Sequence, residues 1–574
     1  MFKSFLSPQP ASRINSRLLL KKRLLIPSIL ALCVKNNYSA TSRKTYKPSE
    51  IEQKWSDFWV SNKLYSKWYT DPQGSVPDPK DEFNMLAPPP NVTGTLHLGH
   101  AMTTYIQDLY ARWYRMNGYK VNWVPGTDHA GISTQVIVEK YLKKEKKVNR
   151  YQLGRENFIS EVLNWKNSRQ SIIRNQQKKL GASMNWDMEY FTMDENHSEI
   201  VQSAFIRLFN DGLIYRDTKI VNWCCALKSV ISDIEVNRVT IDTPTFLKVP
   251  DSSSKQLLGA LYEISYKVVD CQQNYLGNIS VETTRPETIL GDVAIAVHPL
   301  DDRYKVVKMD FGTGAVKVTP SHDLDDYECG KRHNLPQRRV IGFDGSTFEK
   351  NKAFSTSISQ CSRTGDVIEP MIIPQWYIKM EKMAELAVKY VDNGDITLIP
   401  KKFESIWNQW LHNTEDWCIS RQLWWGHQIP AYEISFNESG DQIENKDTPP
   451  FSPFWLVATS PQEAKEKALE KLNQGAPIYQ DKHISSKRDE DVLDTWFSSG
   501  LLPLSAFNRN PNSSSSFDES QKKALSTLLE TGNDIIFFWV ARMVMLCSYF
   551  SKNPPFETVL FHSMNKTNNS FIST

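Results

Sequence analysis

The chain is 574 residues long with 40% hydrophobic residues, enough to bury a large core and to build several domains. Its 68 Lys+Arg against 65 Asp+Glu leave a net charge of only +3, so composition alone announces no polyanion partner. Eight scattered cysteines exclude a disulfide framework and suit a reduced compartment.

Residues 1–45 have the character of a leader. The first 49 positions hold no Asp or Glu but carry Lys3, Arg13, Arg17, Lys21, Lys22 and Arg23 among other bases. A basic, Ser-containing, acid-free leader has the composition of a mitochondrial presequence, with cleavage expected near Tyr38–Ser39. Leu24–Val34 supports a rival secretory reading, but it is too short to span a bilayer and Pro27 interrupts it. The mitochondrial matrix is the expected location, with no membrane partner. A cytosolic form made by internal initiation is not supported, because the next methionine is Met85, inside the first strand expected of the site.

Phe83–Ala87 reads as a short apolar strand, and Pro88, Pro89 and Pro90 end it. Asn91, Thr93 and Gly94 suit a tight turn. From Leu98, apolar residues recur at Met102, Tyr105, Ile106, Leu109 and Trp113. That spacing predicts a helix with one face on a sheet, ending near Gly118. His97 and His100 fall on its first turn, three apart. A helix start offers unpaired N–H donors that favour phosphate, and Gly99 permits close approach. Two imidazoles there can donate to charge developing on a phosphate. Read alone, the same pair also fits a metal or a helix cap. A second strand, Val121–Val124, leads into the turn Gly126-Thr127-Asp128-His129-Ala130-Gly131. Strand, turn, helix, strand and turn is the order in which a parallel α/β sheet presents a nucleotide site. The basic runs 143–147 and 166–179 read as solvated helix faces.

APPPNVTGTLHLGH closely resembles the signature of class I aminoacyl-tRNA synthetases, with Leu98 for the usual isoleucine. PGTDHAGISTQ resembles the valine branch of that family. The isoleucine and leucine branches carry Gly-Trp-Asp where this chain has Gly126-Thr127-Asp128. The resemblance runs on through GASMNWDMEYFTMDE (Gly181–Glu195), NWCCALKSVISDIEV (Asn222–Val236), WCISRQLWWGHQIPAY (Trp417–Tyr432), DVLDTWFSSGL (Asp491–Leu501) and TGNDIIFFWVARMVML (Thr531–Leu546). It implies an α/β fold: a Rossmann-like parallel-sheet catalytic domain split by an inserted β-rich editing domain. The expected boundaries are 46–236 and 361–564 for the two catalytic halves, 237–360 for a shortened insertion and 565–574 for a divergent tail.

The resemblance also implies the reaction. Valine and ATP, with Mg2+, give valyl-adenylate and pyrophosphate, and valine then passes to the 3′ end of the tRNA for valine. No covalent enzyme intermediate is expected, and a monomer is. His97, Gly99 and His100 are assigned to ATP, the two histidines as catalytic groups. Asn91, Asp128, Trp496, Ile535 and Trp539 are assigned to valine. Asp128 suits the ammonium through a charge-assisted hydrogen bond, and the three large apolar groups suit a branched side chain. Read without the resemblance, those three are ordinary core.

A valine pocket excludes the near-isosteric threonine poorly, which is why the family edits by hydrolysis. The editing motifs are present: Arg285 and Thr288 in a Thr-Arg-Pro-Glu-Thr segment, then Phe311, Lys317, Asp323 and Asp326. The resemblance implies that Lys317 and the two aspartates read the threonine, while Arg285 and Thr288 hold the tRNA terminus. Arg303-Tyr304 is followed almost at once by Phe311-Gly312, and a second shortening falls between Leu335 and Cys361, so impaired editing is expected.

Some relatives build a four-thiolate zinc knuckle at the sites of Cys224 and Cys361. Here Leu227 and Thr364 stand where the second thiolates would be, so no structural zinc and no other protein-bound metal is expected. Past Met564 the resemblance implies a Lys-Met-Ser-Lys-Ser loop and an anticodon-binding domain, and the chain reads NKTNNSFIST instead. The competing expectation from another class is therefore a non-catalytic, synthetase-like chain that binds tRNA or protein.

Overall fold

The computed structural model describes residues 47–65, 82–240, 245–248, 255–258, 261–297, 313–346, 357–436, 452–473, 479–507, 526–563, 565–567 and 570–572. The expectations for the leader (1–45), Phe311 and the rest of the tail lie outside them. By its contacts the chain divides into residues 1–57 and 58–574. The described part of the first unit is mostly the start of a helix, Pro48–Ser61.

The second unit is organised on a five-stranded parallel sheet: β1 (Glu82–Leu86), β2 (Lys120–Val124), β3 (Thr397–Ile399), β4 (Ser526–Gly532) and β5 (Phe556–His562). The spatial order is β3-β5-β4-β1-β2, and every pair runs parallel. Both faces are covered, and the apolar residues of the strands alternate between two cores. Phe83, Met85, Val121 and Trp123 pack on one side. Leu86, Val124, Leu529 and Val559 pack on the other. β1 connects to β2 on one side, and β4 connects to β5 on the other. The order therefore reverses between β1 and β4, and such sheets bind ligands beyond the carboxyl ends of the strands at that point.

Helix α1 (Leu98–Met116) makes the β1–β2 crossover and, as expected, stops at Gly118, whose φ is +86°. Its packing corrects the sequence-based expectation. The buried residues are Gly99, Thr103, Thr104, Gln107 and Ala111. Leu98, Tyr105, Leu109 and Trp113 are exposed. The sheet side is narrow, and Gln107 on it is hydrogen-bonded to both neighbouring strands. Gln107 Nε2 donates to the Glu530 carbonyl and carboxylate on β4, at 3.0 Å each, and Gln107 Oε1 accepts from the Trp123 indole on β2 at 2.9 Å. A polar side chain with every partner present replaces apolar contact there.

Between the two halves of the sheet the chain is β-rich. Val236–Thr240 pairs antiparallel with Ser357–Cys361. Inside that bracket lie the antiparallel pairs Tyr262–Val269 with Tyr275–Thr283 and Ala294–Ala296 with Val316–Val318, and the helix Leu324–His333. Asn533–Ser551 is apolar enough to pass for a membrane span, but two-thirds of it is buried in the core beside β4.

Candidate functional site

The site grows from two strand-end turns locked to each other. Pro90 accepts from the Asp128 N–H at 2.9 Å, Asp128 accepts from the Val92 N–H at 3.1 Å, and Asn91 bridges Asp128 in parallel register. Gly126, two residues before Asp128, must be glycine: an added Cβ would lie 2.2 Å from the buried Tyr190 ring. Ala130 follows in the left-handed region, at φ 46°, a strained conformation for alanine that costs about 1 kcal/mol. That strain aims the Ala130 N–H at Asp128 Oδ1, 2.6 Å away. Ser499 donates to the other oxygen, Oδ2, at 2.5 Å. Burial pushes the Asp128 carboxyl up to about 6, and the hydrogen bonds from Ser499 and Ala130 oppose it only in part.

The carboxylate opens onto a cavity of about 250 Å³ beyond the carboxyl ends of β1 and β4. Trp496, Ile535 and Trp539 line it, together with Asn91, His97 and His100. Trp539 is almost fully buried, and its indole N–H donates to the Ser499 carbonyl at 3.0 Å. The backbone here departs from the regular helix face expected for Ile535 and Trp539. Ile535 closes a short tight turn, and Ile536–Val540 forms a π-helical turn before a regular helix, Ala541–Ser551, begins. Such turns recur at functional sites, and both side chains still reach the cavity.

His97 caps α1. Its Nδ1 accepts from the Gly99 N–H at 3.1 Å, and His100 Nδ1 accepts from the His97 N–H at 3.3 Å. The rings lie 3.9 Å apart. Burial lowers the pKa of both, that of His100 to about 4, where the neighbouring His97 adds to the shift. Both imidazoles are therefore neutral at pH 7. With each Nδ1 accepting, each proton sits on Nε2. The pair offers two neutral N–H donors at the positive end of a 19-residue helix.

The structure also gathers a second cluster, in the β-rich stretch. Lys317 is buried and donates to Thr288 Oγ1 (2.6 Å), Thr319 Oγ1 (2.7 Å) and Asp292 Oδ1 (2.8 Å). Asp326 accepts from the Thr319 N–H at 2.7 Å, and burial raises its carboxyl to about 6. Asp323 instead caps the helix Leu324–His333. The Arg285 guanidinium is committed inward, to Glu369, Glu287 and the His322 carbonyl. Cys224 and Cys361 share one apolar cluster with Leu227, and Cys224 Sγ lies 3.4 Å from Thr364 Oγ1. Among the described residues, no group of three or more His, Cys, Asp or Glu is placed to hold a metal ion.

Sequence reasoning missed Ser499, Asp292, Thr319 and an ion pair lining the cavity, Glu235–Arg363. Ser499 was findable: it lies three residues past Trp496, on the same face of the short helix Thr495–Gly500. Thr319 lies two residues from Lys317, whereas Asp292 and the Glu235–Arg363 pair meet their partners only through long-range packing.

The profile described as tRNA synthetases class I (I, L, M and V) matches residues 54–569. The chain is 42% identical to a valine–tRNA ligase of Rattus norvegicus, covering 92% of this chain and 45% of that one. It is 42% identical to a valine–tRNA ligase of Caenorhabditis elegans, covering 90% and 53%. It is 39% identical to a probable mitochondrial valine–tRNA ligase of Dictyostelium discoideum, covering 92% and 56%. The chain thus spans about half the length of the curated relatives it matches. The reversed parallel sheet, the capped His97–His100 pair and a profile match over most of the chain place this protein in the class I aminoacyl-tRNA synthetase family.

Proposed function

We propose that this chain activates valine with ATP, releasing pyrophosphate, and passes valine from the adenylate to the 3′ end of the tRNA for valine. The observation that carries this reading is one buried carboxylate, Asp128, in a cavity lined by Trp496, Ile535 and Trp539 and bordered by two neutral histidines. An ammonium pairs with Asp128, and a branched aliphatic side chain fills the aromatic end. The carboxylate of valine then faces the His97–His100 end. There its oxygen attacks the α-phosphorus, the bond from that phosphorus to the bridging oxygen breaks, and pyrophosphate leaves. The His97 and His100 Nε2–H groups stabilise the charge spreading over the phosphate oxygens, and Gly99 keeps that approach clear. Asn91, bridged to Asp128, orients the amino acid.

Of the cavity's three carboxylates, Asp128 takes the ammonium and Asp494 is paired with Arg421, which leaves Glu235 alone. They build no magnesium cage, so Mg2+ arrives on the nucleotide, held by phosphates and water. The Lys317 cluster is the candidate editing pocket, where Thr288, Asp292 and Asp326 face a threonyl group. Some relatives carry mitochondrial names, which suits a matrix location.

The test is exchange of labelled pyrophosphate into ATP, with valine, threonine and isoleucine compared in parallel. Valine should drive exchange best and isoleucine least. Equal exchange with isoleucine, or none with valine at high protein concentration, rejects the reading in favour of a non-catalytic relative.

A further inference from the structure

The cavity holds one permanent cation among its described lining residues, Arg363. The other charged groups there are Asp128, Glu235 and Asp494. Arg363 sits in the turn that follows the strand Ser357–Cys361, and Glu235 immediately precedes Val236–Thr240. Those two strands pair with each other and bracket the β-rich stretch, so Arg363 and Glu235 stand where that stretch meets the cavity. The turns are fixed: the Ser362 N–H donates to the Glu235 carbonyl at 3.1 Å, and the Gly365 N–H to the Cys361 carbonyl at 2.8 Å.

The pair itself is unequal. Glu235 is buried, and its other oxygen accepts from the Ser232 N–H at 3.2 Å. The Arg363 side chain is 37% exposed and reaches Glu235 through a single contact of 3.3 Å. A guanidinium has five N–H donors in a planar fork; the contact with Glu235 uses one of them, and Arg363 also lines the cavity. The contact is single and long at a part-exposed guanidinium, and Glu235 keeps its hydrogen bond from the Ser232 N–H when that guanidinium turns to another anion. The geometry points to Arg363 as a tRNA-binding residue of the synthetic cavity: its guanidinium leaves Glu235 to bind a phosphodiester near the RNA 3′ terminus. The inference rests on the ligase reading above. The triphosphate already has the helix N-terminus and both histidines. The incoming RNA end otherwise meets three carboxylates, and Arg363 supplies the missing positive charge where the β-rich stretch joins.

Competition with Glu235 makes the test two-sided. The probe is a fluorescent RNA minihelix ending in a single-stranded CCA, titrated into the full chain at several salt concentrations. R363Q should weaken binding about tenfold, as expected for losing a charged hydrogen bond. It should also flatten the dependence of log affinity on log salt by roughly 0.7–0.9, one released counterion. R363K should restore the slope. E235Q, which frees the guanidinium, should tighten binding about twofold to fivefold. A pair that only braces the two bracketing strands would instead lower Tm in both variants and leave the slope untouched, and that result overturns the proposal. So does a minihelix that does not bind the unaltered chain, or a KM for ATP in pyrophosphate exchange that rises in proportion to the loss of RNA affinity. Absence of valine-dependent exchange in the unaltered chain would reject the ligase reading, while RNA binding would still judge Arg363 separately.

Discussion

Replacing Asp128 with Asn separates what that carboxylate costs the fold from what it gives the site. Asn keeps the acceptor for the Ala130 N–H, and Ser499 has only to turn its hydroxyl from donor to acceptor. Burial raises the carboxyl from 3.8 to about 6 in the valine-free protein. A folded-state pKa above the unfolded one means the charged form is disfavoured in the folded state. The penalty is absent below the unfolded value and complete above about 6. A shift of roughly two units corresponds to about 3 kcal/mol at neutral pH. Asp128→Asn should therefore unfold at higher temperature than the unaltered protein at pH 7.5, and the gain should vanish as pH falls towards 4. The same change removes the ammonium's partner, worth about 3 kcal/mol, so the KM for valine should rise on the order of a hundredfold. Scanning calorimetry at both pH values and pyrophosphate exchange at graded valine read the two effects. A variant no more stable at pH 7.5, with an unchanged KM for valine, would refute both the burial argument and the role of Asp128.

Other perturbations follow from the same geometry. Ser499→Ala removes the donor that lowers the Asp128 carboxyl, so the fall in valine affinity on acidification should begin at higher pH, with about a tenfold loss near pH 6.5. His100→Ala should cut exchange by roughly a hundred- to a thousandfold, as for other lost preorganised donors. Between pH 6.5 and 8 the unaltered protein should show no titration of this histidine, because its pKa lies at about 4. Gly126→Ala forces a methyl into the Tyr190 ring and should destabilise by about 1–3 kcal/mol or more, measured by urea unfolding. Truncating Trp539 to Ala should cost about 3–5 kcal/mol and erase the preference for valine over smaller amino acids.

Much of the site was legible because local sequence dictates it. The proline run ends β1, a glycine ends α1, and both strand-end turns sit where they were expected. What misled was α1. Its apolar stripe at Leu98, Tyr105, Leu109 and Trp113 has helical spacing, but periodicity alone does not tell which face meets the sheet. Gln107 decides that through partners on β2 and β4, and Glu530 lies 423 residues away. The same limit hid the bond from Ser499 to Asp128, 371 residues away, although the place of Ser499 one helical turn from Trp496 was legible. Arg285 shows the reverse: a residue expected at a ligand is committed to Glu369, another long-range contact. Asp128 was legible as a residue, but its raised pKa was not, since burial is a property of the packed core.

Calorimetry of valine binding in buffers of different ionisation enthalpy tests the account's central claim most directly. With Asp128 near half-protonated at pH 6, an arriving ammonium should expel about half a proton per valine, and almost none at pH 8. That release should disappear in Asp128→Asn. Valine binding with no proton release at pH 6, or with the same release in the variant, would contradict the placement of the ammonium on Asp128.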